Sequence, residues 1–60
     1  MLGMITDLKI QRLLAGLTQF ELMLKTNIQQ SKISHCERGL LNFNDKEKKK
    51  IEKTLGRIKW

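Results

Sequence analysis

Apolar residues along the chain recur at helical spacing, and nowhere do they alternate with polar ones as a half-buried strand would require. Wound at about 100° per residue, Ile5, Leu8, Arg12 and Ala15 share one face of a first segment, so an arginine sits inside its apolar stripe. Ile10, Leu13 and Leu14 lie on the other side, and some of them are expected to be core, since a bundle surrounds its first helix on more than one side. Thr6 is a suitable N-cap, Asp7 suits the positive end of the helix dipole, and Gly16 permits a left-handed stop; the spacing predicts a helix over residues 6–15.

A second helix is predicted from Thr18, where Glu21 three positions on completes a capping box, to Thr26. Asn27 then tolerates the left-handed conformation that a tight turn needs. A third helix follows over residues 29–38, closed by Gly39. On its winding Ile33, Cys36 and Glu37 fall in one arc, while Gln30, Ser31, Ser34, His35 and Arg38 share the opposite one. Residues 40–44 read as a loop, and Asn44 is a plausible N-cap for a fourth helix that carries Ile51 and Leu55 one turn apart among lysines and glutamates.

Two charged residues, Arg12 and Glu37, thus face inward. An isolated buried charge costs several kcal/mol even after relaxation, so the two are expected to meet as an ion pair between the first and third helices.

Length and charge narrow the picture. Sixty residues make one domain, spanning 1–60, and a chain of this size buries only about 60% of its unfolded surface, so its stability is marginal. The net charge of +6 points to a polyanion, nucleic acid ahead of an anionic membrane. Residues 44–60 hold seven of the twelve Lys and Arg and three of the six acids, so +4 of that charge lies there, where a solvated helix face also accounts for it.

A lone cysteine forms no intramolecular disulfide, and Cys36 and His35 point to different faces, so neither a metal set nor a cofactor site is expected. The reading is of a cytoplasmic protein with no membrane partner: no apolar run approaches the ~18 residues of a span, and Met1 and Met4 do not open a signal peptide. The single His and Cys lack an orienting acid at triad spacing, and there is no Gly-rich phosphate loop, which argues against an enzyme.

The stretches G-L-T-Q-F-E-L at 16–22, Q-S-K-I-S at 30–34 and E-R-G at 37–39 together carry a resemblance. They resemble the helix-turn-helix DNA-binding domain of the phage repressor and Cro (Xre) family, without a gap from Leu8 through Gly39, about half the chain. The resemblance implies an all-α, compact four- to five-helix bundle of the lambda-repressor type, with the helix-turn-helix proper over residues 18–38. It implies that the third helix enters the major groove of double-stranded DNA, with Gln30, Ser31, Lys32 and His35 reading bases. It assigns phosphate contacts to Thr18, Gln19, Arg38 and Asn42, with Lys9 and Lys46 as lesser candidates, and in that family the residues matching Arg12 and Glu37 pair inside the domain.

The function so implied is transcriptional regulation, by a repressor bound as a homodimer to a palindromic operator. Some members are antitoxin-like autoregulators that bind a protein partner, and the apolar residues turned outward here, Phe20 and Leu24 among them, would serve that purpose. Leu40, Leu41, Phe43, Ile58 and Trp60 lie in a loop or near the end, and their clustering would suit a self-association patch or the stump of contacts to a longer C-terminal region. The chain departs from the family pattern at Asn27 (usually glycine), Gln29 (commonly a Ser or Thr cap), Phe43 (often proline) and Gln11 (commonly apolar).

Overall fold

Short helices of two to three turns are marginal alone, so what holds this chain is how each helix is capped and which side of it is covered. The computed structural model describes residues 6–60; Ile5, which the winding puts beside Leu8, lies outside the described residues with Met1–Met4. Four helices follow in order: α1 (Asp7–Leu14), α2 (Gln19–Thr26), α3 (Gln30–Glu37) and α4 (Asp45–Leu55), with no strand among the described residues. The Cα radius of gyration of 10.4 Å agrees with the value of about 10 Å for a packed chain of this length. No helix among the described residues is long and apolar enough to cross a membrane.

The caps explain the boundaries. Thr6 accepts the Lys9 backbone N–H at 3.3 Å, and its hydroxyl donates to the Glu37 carbonyl at 3.0 Å, which ties the start of α1 to the end of α3. At α2 the capping box is complete: Glu21 N–H donates to Thr18 Oγ1 and Thr18 N–H to the Glu21 carboxylate. Asn44 and Glu47 form a second such box at α4. Gln29, the unusual residue at the N-cap of α3, makes no side-chain cap bond.

Between α2 and α3 only Asn27, Ile28 and Gln29 intervene. Asn27 takes up the left-handed conformation (φ 59°) in place of a glycine, while Thr26 pins the turn by donating to the Leu22 carbonyl and accepting from Ile28 N–H.

Leu8, Leu22, Ile28, Ile33, Cys36, Phe43, Ile51 and Ile58 form the core, with Leu17, Met23 and Leu55 packed at its edge. α2 lies centrally, touching both α3 and α4. Two expectations need correction. Ile10, Leu13 and Leu14 are all exposed, because nothing among the described residues covers that side of α1. Phe43 and Ile58 are core residues, not members of an outer patch.

The second correction has a cause in the tail. After Gly56 the chain runs without helix back across the bundle, burying Ile58 and bringing Lys59 N–H to 2.8 Å from Asp7 Oδ2. Trp60 then sets its ring edge-on to Phe43, donates its indole N–H to Glu52 at 3.0 Å and lies under the Lys48 ammonium. Among the described residues the helices number four, the lower of the two counts that the resemblance implies, and residues 56–60 close the bundle without a helix.

Candidate functional site

Arg12 and Glu37 meet in the interior, each at least nine-tenths buried. The guanidinium addresses both carboxylate oxygens, with Nε donating to Oε2 and Nη2 to Oε1 at 3.0 Å, while Nη1 donates to the Leu17 carbonyl at 2.7 Å. Gln19 adds a fourth bond, its amide donating to Glu37 Oε1 at 3.0 Å. No fully buried side-chain nitrogen or oxygen among the described residues lacks a partner, which is the condition for a buried pair to be tolerated. The cluster ties α1, the α1–α2 connection, the first turn of α2 and the last turn of α3 into one unit.

This cluster sets the rotation of α3. With Glu37, Ile33 and Cys36 held inward, Gln30, Ser31 and Arg38 are exposed and Ser34 and His35 half-exposed along the opposite arc. Ser31 and His35 are linked, since His35 Nδ1 lies 2.6 Å from the Ser31 carbonyl. A carbonyl can only accept, so Nδ1 carries the proton of that bond and Nε2 is left for an outside partner. The result is a short exposed helical face of uncharged donors and acceptors with one arginine at its end.

Lys32 stands apart from the other three residues assigned to base reading. Its ammonium is held by both oxygens of Glu47, at 2.8 and 2.9 Å, across the gap between α3 and α4. Of the residues assigned to phosphate, Thr18, Arg38 and Asn42 are exposed, whereas the Gln19 amide is committed inward to Glu37. Neither commitment has a sequence signature: the partners lie 15 and 18 positions apart.

The Lys32 ammonium, helped by Asn44 N–H, holds the Glu47 carboxyl below its ordinary range. Bonds from the backbone and hydroxyl of Thr18 do the same for Glu21. Burial, by contrast, pushes the Cys36 thiol up, so it stays protonated and a poor nucleophile.

A pH dependence follows from the two depressed carboxyls. Their folded values lie below the ordinary 4.5, so the unfolded chain takes up protons first as pH falls. Their stabilising contribution is complete above that value and is lost as pH drops through the folded values. The thermal midpoint, followed from neutral pH downward, is expected to be insensitive to these two groups until about 4.5 and then to decline, with Glu47→Gln removing part of the decline.

On α4, Lys46, Lys49, Lys50 and Lys53 are all exposed and share one arc of about 100°, opposite the buried Ile51. A cleft of about 170 Å³ between the tail and α3 is walled largely by Leu8, Cys36, Leu41, Phe43 and Trp60 and is mainly apolar. No family model, curated protein or solved structure matches this chain.

Proposed function

We propose that this protein is a sequence-specific double-stranded DNA-binding protein of the helix-turn-helix kind, acting in the cytoplasm as a transcriptional repressor. The carrying observation is the outward arc of α3, whose exposed, uncharged hydrogen-bonding side chains are held in one rotation by the buried Arg12–Glu37 cluster. A helix presenting such groups fits the major groove, where each base pair shows its own donor and acceptor pattern. Gln30 is suited to bond adenine bidentately at N6 and N7, while Ser31 and the free Nε2 of His35 lie along the same face. The exposed Arg38, Asn42 and Thr18 are suited to hold phosphates and fix the register.

The net charge of +6 and the α4 lysine arc supply the sequence-independent attraction that such binding requires. A homodimer on a palindromic operator, with half-sites about one helical turn apart, is the arrangement this architecture uses to gain affinity.

The test is a titration against a duplex selected from random sequence and its scrambled counterpart, at two salt concentrations. Gln30→Ala is expected to lose about 1–3 kcal/mol of discrimination while the salt slope stays unchanged. A wild type that binds both duplexes equally and is released by modest salt excludes the specific-regulator reading.

A second reading, an antitoxin-like autoregulator with a protein partner, is favoured by the exposure of Ile10, Leu13 and Leu14 on α1 and of Phe20 and Leu24 on α2. Co-purification with the product of a neighbouring gene, lost on making Leu14 and Leu24 polar, distinguishes it.

A further inference from the structure

Lys32 lies at the border of two surfaces. On the winding of α3 it falls about 60° beyond His35, the last residue of the outward arc, and about 40° short of the buried Cys36. Its flexible four-carbon stem allows the ammonium to reach either outward, beside Ser31 and His35, or across to α4. In this structure the second position is taken, and the choice is made by Glu47, which offers both oxygens to the ammonium.

Glu47 itself is not free to swing. Its Oε1 also accepts Asn44 N–H at 2.9 Å, and its own N–H donates to Asn44 Oδ1 at 2.8 Å, so the helix cap fixes the carboxylate that receives Lys32. The Lys32 side chain is one-third exposed and the Glu47 side chain less so. A pair with that much water around it contributes little to folding, so its consequence is where it puts a charge.

We propose that Glu47 is a positioning residue for DNA recognition, which holds the Lys32 ammonium against α4 and thereby keeps a phosphate-seeking cation off the reading face of α3. The inference rests on the DNA-binding reading above. A cation beside that face attracts any duplex regardless of sequence, because neutralising a phosphate releases a counterion whatever the bases are. With Lys32 retained by Glu47, the interior of the face is left to Gln30, Ser31, Ser34 and the imidazole of His35. Arg38, at the end of the helix, is its remaining charge.

The test is Glu47→Gln, which removes the charge yet keeps a capping box, since glutamine serves at that position. The probe is the scrambled duplex, titrated at 50 and 200 mM salt with circular dichroism as the check on folding. Glu47→Gln is expected to bind it more tightly than wild type, with a salt slope steeper by about 0.9, so that the excess shrinks about 3.5-fold over that salt range. Lys32→Met added to Glu47→Gln returns affinity and slope to wild-type values. Asp45→Asn changes the net charge equally, leaves Lys32 paired and shows no matching excess.

Three results overturn the inference: a Glu47→Gln slope equal to wild type, an excess that survives Lys32→Met, or an equal excess in Asp45→Asn. In each case a wild type that still prefers the selected duplex leaves the proposed function standing. A wild type with no affinity for duplex DNA removes both.

Discussion

Glu37→Ala is expected to cost about 3–5 kcal/mol, the loss typical of leaving one partner of a buried pair without the other. Native stabilities run at about 0.05–0.15 kcal/mol per residue, or roughly 3–9 kcal/mol for sixty residues, so this one truncation removes between about a third and all of the stability such a chain has. The reason lies in what remains: the Arg12 guanidinium keeps only the Leu17 carbonyl, and the Gln19 amide loses its acceptor. Replacing both charges by apolar residues, Arg12→Met with Glu37→Leu, is expected to recover most of the loss, because no uncompensated charge is left inside. Urea unfolding followed by circular dichroism measures both. Equal and small losses for Glu37→Ala alone and for the truncation of both residues would show that the two side chains reach water in solution.

The second large effect is at Ile51. This residue has no exposed surface and is the one buried residue of α4, with Leu55 packed half-buried at the core's edge. Ile51→Ala is expected to cost about 2–5 kcal/mol through the transfer and cavity terms of a buried aliphatic side chain. The loss falls first on α4, whose amides are expected to lose hydrogen-exchange protection ahead of those in α2. Leu24→Ala is the control: a leucine of comparable size on a central helix but 65% exposed, expected to change stability by no more than about 0.5 kcal/mol. Comparable losses at the two positions would mean that the outward side of α2 is covered in solution.

These two cases show why some of the molecule was legible before its structure and some was not. The inward placement of Arg12 and Glu37 can be read from periodicity alone, and the cost of an isolated buried charge then leaves few arrangements except their meeting. Thr18 with Glu21 and the left-handed Asn27 are likewise local, each decided within four residues by hydrogen bonds the backbone must satisfy. The same local logic would have completed the Asn44–Glu47 box, since the acid stands at the required spacing. Periodicity turned Ile10, Leu13 and Leu14 away from the Arg12 stripe, and the structure leaves them exposed; what failed was the expectation that a bundle covers its first helix on more than one side, because an apolar side of a helix does not supply the neighbour that would bury it.

For the candidate site the division is sharper. The outward arc of α3 follows from spacing, since a helix with Ile33, Cys36 and Glu37 inside must turn Gln30, Ser31 and Arg38 out. Which of those side chains remains available does not follow. Lys32 and Gln19 read as free polar groups along the chain and are each held by a carboxylate 15 or more positions away. Phe43 and Ile58 likewise became core through the path of residues 56–60, a segment without helical periodicity to reveal where it would lie.

Helix order, caps, turns and the inward face of α3 are thus written in the chain, since each depends on torsional preference, backbone hydrogen bonds and side-chain period over a few residues. The folding back of the tail, the exposure of Ile10, Leu13 and Leu14 among the described residues and the capture of Lys32 by Glu47 depend on which distant surfaces come into contact. That choice is made by the summed burial of the whole domain, and no local segment carries it.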